Sequence, residues 1–198
     1  MGPDLTALEA RFAAQPEQGP GVFSPHDRNP HAPWNWGGDK MRVNGYAPFY
    51  TWLYGRITPE TVVELGVFRG VSLAVWDALW PGVSLLGLDI DLGRYEANLD
   101  ALRASGGFPD RLPQTRVWDA YQPDPATILM AVGRPDLFID DGPHTEDAIR
   151  LVLRTVGPLV RQAYVIEDFA GGADLLREAF PGWEVRDDGR IAGAVQVP

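Results

Sequence analysis

The sequence predicts an α/β protein: a doubly wound seven-stranded sheet, mostly parallel, with a C-terminal antiparallel hairpin. Three observations predict it. From Thr61 onward, short apolar runs that each close on glycine or an acid alternate with helical patterns, five times over. Near the end, Asp187-Asp188-Gly189 is a hairpin turn signal between two strand-like runs. The length, 198 residues, suffices for one domain with a substantial core.

In chain order, residues 4–14 read as a short amphipathic helix, because Leu5, Leu8 and Phe12 recur at helical spacing. Residues 16–45 are rich in Pro, Gly, Asn, Asp and Trp and show no periodicity, so they read as a long loop. Trp34 and Trp36 argue against plain disorder there. A helix follows from Ala47 to Arg56. Val62–Leu65 is a strand closed by Gly66, and Val71–Trp80 a helix stopped by Pro81-Gly82. Ser84–Leu88 is a strand ending at Asp89, and Gly93–Ala104 a helix. Thr115–Trp118 is a short strand ending at Asp119, followed by a helix over Pro125–Val132. Asp136–Ile139 and Ala163–Ile166 are strands, each followed by a helix, at Thr145–Thr155 and Gly172–Phe180. Trp183–Arg186 and Ile191–Val197 flank the hairpin turn. The expected organisation is one domain over 1–198, with N-terminal helices and a lid loop over 1–58 and the sheet core over 59–198.

Composition narrows the function. The formal net charge of −10 argues against nucleic acid, whose phosphates it would repel. No stretch approaches the roughly 20 apolar residues of a membrane span. The N-terminus lacks the basic region and apolar core of a signal peptide, so a cytoplasmic location is expected. The absence of cysteine excludes disulfides, thiolate zinc sites and cysteine nucleophiles. Lys40 is the single lysine beside sixteen arginines.

Two features carry chemistry. The first is Glu64-Leu65-Gly66-Val67-Phe68-Arg69-Gly70, a strand, glycine turn and helix start. Gly66 lets the chain turn sharply, and Gly70 lets a ligand or the helix start come close to the backbone. The same spacing occurs in βα turns that hold no ligand. Asp89, about twenty residues on, can accept two hydrogen bonds from ribose hydroxyls, and Asp119 can reach an adenine amino group. Acids at consecutive strand ends line the crevice where open α/β sheets bind ligands. The spacing is not that of dinucleotide folds, and no basic residue is poised for pyrophosphate, which favours a ligand without phosphates.

The second feature is Asp140-Asp141-Gly142-Pro143-His144, paired with Glu167-Asp168 at the next strand end. Neighbouring strands lie about 4.8 Å apart, so their terminal carboxylates can share one ion. Without a cation such acids repel each other. Asp141, Glu167 and Asp168 supply three oxygens for Mg2+ or Mn2+, both of which accept hard oxygen ligands. His144 stands where a general base is useful. Asp140 supports the loop or a cofactor group. The plainer alternative is an Asp-Gly-Pro turn with Asp141 capping the next helix, a solvated Glu167-Asp168 exit and His144 as a helix-entry residue.

The glycine segment and Leu88-Asp89-Ile90 resemble the first two motifs of class I S-adenosylmethionine-dependent methyltransferases, which share the Rossmann-like seven-strand plan. The resemblance implies S-adenosylmethionine as cofactor, with Gly66 and Gly70 against its methionine part, Asp89 on its ribose and Glu64 near its amino end, directly or through water. The acidic cluster, with Gly38-Asp39-Lys40 and Gly45-Tyr46 upstream, resembles a narrower group: the macrocin O-methyltransferase-like, metal-dependent sugar O-methyltransferases of antibiotic biosynthesis. This similarity spans roughly residues 37–170. It departs at Pro143, where serine is commoner, at Gly38, where threonine is commoner, and in lacking the extra N-terminal domain of some members. It implies a small-molecule hydroxyl acceptor, a glycoside of natural-product type, and leaves a homo-oligomer open.

Around this core, residues 22–46 are expected to form a lid. Lys40 can pair with the methionine carboxylate of the cofactor or with Asp39, and Tyr46 can bond the same end; a surface ion pair is the plainer alternative. Trp34 and Trp36 suit a stacking face for the acceptor. Trp52, Trp76 and Trp80 read as core, and Trp118 as core or as a flank for adenine. His26 and His31 have no ligand spacing. Two rival functions use the same residues: a methyltransferase that works without metal, and a non-catalytic module that binds S-adenosylmethionine.

Overall fold

The computed structural model describes residues 2–13 and 40–197. Two N-terminal helices, α1 (Leu5–Ala13) and α2 (Ala47–Tyr54), precede the alternating part. Then come β1 (Thr61–Leu65), α3 (Val71–Leu79), β2 (Ser84–Asp89), α4 (Gly93–Ala104), β3 (Gln114–Val117) and α5 (Pro125–Val132). The remainder is β4 (Leu137–Asp140), α6 (Glu146–Val156), β5 (Ala163–Ile166), α7 (Gly172–Ala179), β6 (Glu184–Asp187) and β7 (Ala192–Val195). The sheet has seven strands in the order β3-β2-β1-β4-β5-β7-β6. Strands β1 to β5 pair in parallel, and β7 runs antiparallel between β5 and β6. The doubly wound plan with its terminal hairpin is therefore the one the alternation predicts.

The strands are apolar on both faces because helices cover both. Val62, Ile139 and Val165 belong to a core shared with α1, α2, α3 and α4. Val63, Leu65, Phe138, Tyr164 and Ile166 belong to a second core under α5, α6 and α7. The two-residue period of a strand then decides where its last side chains go. Glu64 lies two residues after Val62, Asp141 two after Ile139, and Glu167 two after Val165. All three are delivered to the face that α1, α2 and α3 cover. Asp140 keeps the parity of Phe138 and goes to the opposite face.

Helix ends follow local chemistry. The side chain of Asp124 accepts from the N–H of Ala126 and caps α5. Thr145, not Asp141, caps α6. Asp141 is thus left free of the plain turn-capping role. The third strand ends one residue earlier than expected, so Trp118 and Asp119 lie in the loop beyond it. Among the described residues no helix is long and apolar enough to cross a membrane.

Candidate active site

The chain changes winding direction between β1 and β4, which pair side by side. Ligands of open α/β sheets bind at such a switch point, beyond the C-terminal strand ends. A cleft of about 620 Å³ opens there. Its wall includes Gly66, Phe68, Asp89, Asp119, Tyr121, Asp141, His144 and Asp168.

On one side of the cleft, Oδ2 of Asp89 accepts the N–H groups of Val67 at 2.8 Å and Phe68 at 2.9 Å. Its Oδ1 accepts the N–H of Asp91 at 3.0 Å. The carboxylate therefore pins the glycine turn to the end of β2. An ionised carboxylate has about four acceptor sites, so capacity remains for ribose hydroxyls. Asp119 accepts from the N–H of Tyr121 and from the Gln122 side chain, and it also lies on the wall. Gly66 has φ +91°, and a Cβ there would stand 1.9 Å from the carbonyl oxygen of Asp141. Its missing side chain brings the β4 loop against the β1 turn, so the glycine loop and the acidic run form one wall.

Gly70 serves the helix start, one of its two expected uses. It is absent from the cleft wall, and a Cβ there would lie 2.5 Å from the Tyr95 ring. Its glycine is needed for helix packing, with φ +77° at the N-cap of α3. Glu64 lies behind the cleft wall. It is fully buried and accepts from Lys40 at 2.8 Å, Ser72 at 2.8 Å and the Trp76 indole at 3.2 Å. Strand parity explains this, since Glu64 points under α3 and not into the cleft.

On the other side, ligand atoms of Asp141, His144 and Asp168 all lie within 4.8 Å of one another. His144 Nε2 stands 3.9 Å from Asp141 Oδ1, too far for a direct hydrogen bond. Asp168 accepts from the Tyr46 hydroxyl and, at 2.6 Å, from Arg190. Both His144 and Asp168 have φ of +54°, and so depart from strand alternation. Among the described residues, four non-glycine residues have positive φ, namely Phe68, Phe108, His144 and Asp168, and three of them line this cleft. Such strain persists only where the surroundings enforce it, and it concentrates at functional sites.

Glu167, expected as a third metal ligand, is not part of that group. It is 1% exposed, and its Oε1 accepts from Lys40 at 2.9 Å and from the Tyr50 hydroxyl. Lys40 pairs with carboxylates of the sheet; Asp39 lies outside the described residues. Its ammonium is buried and reaches Glu64, Glu167 and, at 3.3 Å, Asp141 Oδ2. Its hydrogen bonds go to Glu64 and Glu167, and Asp141 completes its ring of carboxylates as an ion pair. Burial disfavours the ammonium, but the charges of Asp141, Glu167 and Glu64 outweigh it and raise its pKa above the usual lysine range. The Tyr46 hydroxyl donates to Asp168.

Burial pushes Asp141 up to about 7, against the pull of Lys40 and with the repulsion of Glu64 and Asp168. Burial likewise pushes Glu167 up to about 8, again opposed by Lys40 and reinforced by Asp141. Asp140, 2% exposed, is raised to about 6 by burial and accepts from Tyr164 at 3.1 Å. It braces the loop, as one of its two expected roles requires.

Three partners escaped the sequence: Tyr50 on Glu167, Arg190 on Asp168, and Tyr121, whose hydroxyl meets Thr145 Oγ1 at 2.9 Å. Only Tyr50 left a signal, standing four residues after Tyr46 on one face of a helix. Trp76 and Trp80 are core as expected, Trp52 is half-buried, and Trp118 is both core and cleft wall. Trp34, Trp36, His26, His31 and Gly38 lie outside the described residues. A second concavity of about 580 Å³, lined by Arg150, Leu153, Phe180 and Trp183 among others, has none of the strand-end acids.

No protein-family model and no curated protein matches the sequence. Solved structures do match in fold. The MycE methyltransferase from the mycinamycin biosynthetic pathway, in complex with Mg and SAH, superposes with a TM-score of 0.61 at 20% identity, covering 100% of this chain and 58% of that one. The same enzyme with Mg, SAH and mycinamycin VI gives 0.61 at 18% identity, covering 100% and 57%. The SAH-bound methyltransferase PaMTH1 of Podospora anserina gives 0.57 at 16% identity, covering 100% and 90%. The chain thus spans somewhat under three fifths of the length of MycE. At these identities the likeness is one of fold: the seven-stranded α/β sheet of this chain superposes on those methyltransferases along its whole length.

Proposed function

We propose that the protein is an S-adenosylmethionine-dependent O-methyltransferase that methylates a hydroxyl of a small natural product, a sugar hydroxyl of a glycoside. One observation carries this reading: Gly66 and Asp89 share a single cleft with Asp141, His144 and Asp168. A methyl donor and a hydroxyl acceptor need that proximity, because transfer is in line between sulfur and oxygen. The bound Mg, SAH and mycinamycin VI of MycE lend the proposal a chemical precedent at fold level.

The cofactor and the cation are tested against the residues present. Asp89 retains acceptor capacity towards a ribose, and Asp119 stands further along the same wall. Asp141 and Asp168 offer hard oxygens within 4.8 Å of each other, which suits Mg2+ or Mn2+. Both groups therefore fit. S-adenosylmethionine supplies the methyl group. Asp141 and Asp168 would hold the cation, whose charge would lower the pKa of an alcohol hydroxyl beside it.

The chain's own residues do the rest. His144, with a 38% exposed side chain at the cleft, receives the hydroxyl proton as the oxygen attacks. Arg190 and Tyr46 fix the Asp168 carboxylate in place. Phe68, Trp118 and Tyr121 give the cleft its aromatic walls.

The test is transfer of labelled methyl from S-adenosylmethionine to a panel of glycosides, with chelator and then with Mg2+ restored. Transfer that chelator abolishes and Mg2+ restores is expected. Transfer indifferent to chelator refutes the cation's role, and binding of S-adenosylmethionine without transfer to any acceptor favours the non-catalytic module.

A further inference from the structure

We infer that Lys40 is the positioning residue of this site: it draws Glu167 away from the cation group and aims Asp141 at His144. The inference rests on the function proposed above and assigns the buried charges that the function leaves unused.

The argument begins with charge. Strand parity delivers Glu64, Asp141 and Glu167 to one buried face, where a lone carboxylate is costly and three together are more so. The ammonium of Lys40 touches all three, at 2.8, 3.3 and 2.9 Å. The Trp76 ring lies 5.7 Å from the ammonium, and the Lys40 side chain is only 9% exposed.

Geometry then divides the work. Lys40 holds Oδ2 of Asp141, and the second oxygen, Oδ1, is the one nearest His144. Lys40 and Tyr50 converge on the same oxygen of Glu167, which stays buried while Asp168, the next residue, turns into the cleft at φ +54°. Adjacent acids at one strand end therefore take opposite duties: Asp168 serves the cleft and Glu167 serves Lys40.

The segment that brings Lys40 is built for this purpose. Lys40, Tyr46 and Tyr50 each give a donor to the row Asp141, Asp168 and Glu167. The backbone N–H groups of Met41 and Arg42 bind the Glu9 carboxylate, which ties the turn to α1. Residues 40–50 are the electrostatic complement of the acidic strand ends.

The test is calorimetric titration of Mg2+ into the full chain and three variants, with S-adenosylmethionine affinity and thermal melting measured alongside. Glu167→Gln keeps acceptors for Lys40 and Tyr50 and is expected to leave Mg2+ affinity within threefold of the parent. Asp141→Asn is expected to weaken Mg2+ by tenfold or more. Lys40→Met frees two carboxylates and is expected to tighten Mg2+ about tenfold, with cofactor affinity within threefold and turnover down at least a hundredfold. Loss of Mg2+ binding in Glu167→Gln equal to that in Asp141→Asn overturns the inference alone, and so does unchanged turnover in Lys40→Met. If Lys40→Met does not fold, Glu167→Gln still decides. A parent chain that binds no Mg2+ overturns the cation reading and the inference together.

Discussion

Gly66→Ala is the substitution that most sharply separates geometry from composition. The residue has φ +91°, and the added Cβ would sit 1.9 Å from the carbonyl oxygen of Asp141 and 2.7 Å from its carbon. Two costs add. Holding a non-glycine residue in left-handed backbone costs about 1–2 kcal/mol. Forcing the Asp141 backbone to retreat from a packed contact costs about 1–3 kcal/mol more. Gly82 supplies the control, since it has φ +84° with nothing within 4 Å of a Cβ, so Gly82→Ala carries the first cost alone. Urea melts monitored by far-UV circular dichroism should place Gly66→Ala about 1–3 kcal/mol below Gly82→Ala. Each kcal/mol lowers the melting temperature by roughly 2–4 °C in a domain of this size. Because the displaced atoms belong to Asp141, Gly66→Ala should also weaken Mg2+ binding while Gly82→Ala does not. Equal stability of the two variants would refute the close contact between the β1 turn and the β4 loop, and with it the single-wall cleft.

Other predictions concern individual groups. His144→Ala should lower turnover by about 10²–10⁴-fold, the usual range for a general base, with S-adenosylmethionine affinity unchanged; retained turnover would remove His144 from proton transfer. Asp89→Ala should weaken cofactor binding by at least about tenfold and lower stability, because it frees the N–H groups of Val67 and Phe68 as well as the ribose site; unaltered binding would contradict the cofactor's placement. Burial raises Asp140 from the usual carboxylate range to about 6, so the folded chain binds that proton more tightly than the unfolded chain. The resulting stability is full below about 4, the ordinary aspartate value, and is lost as pH rises through 6. Asn resembles the protonated acid, so in metal-free buffer the parent should lose stability relative to Asp140→Asn between those limits, as read from urea melts across the range.

Much of this was legible in residue order. Alternating apolar runs and helical patterns disclosed the sheet, and Asp187-Asp188-Gly189 disclosed the hairpin, because short-range periodicity and turn chemistry decide both. Gly66, Asp89, Asp119, Asp141, His144 and Asp168 do meet in one cleft, since each follows directly on a strand end. Side-chain direction lay one step deeper. Glu64 and Glu167 looked like cleft acids by their position at strand ends, but they share the parity of Val62 and Val165 and so face inward. Counting parity across the three strands would have shown it. Asp168 escapes parity through its left-handed backbone, which no spacing announces. Lys40 is far from its partners in the chain, so its role required tertiary structure, as did the packing of Tyr95 that Gly70 accommodates.

The central claim is that one cleft holds the methyl donor beside a cation-binding pair of acids. Nuclear magnetic resonance of S-adenosylmethionine labelled with carbon-13 at its sulfonium methyl, bound to the chain and titrated with Mn2+, tests it most directly. The account predicts that Mn2+ broadens the methyl resonance severely, and that the combined Asp141→Asn and Asp168→Asn substitutions abolish the broadening while the cofactor stays bound. A methyl resonance that stays sharp with Mn2+ bound would contradict it.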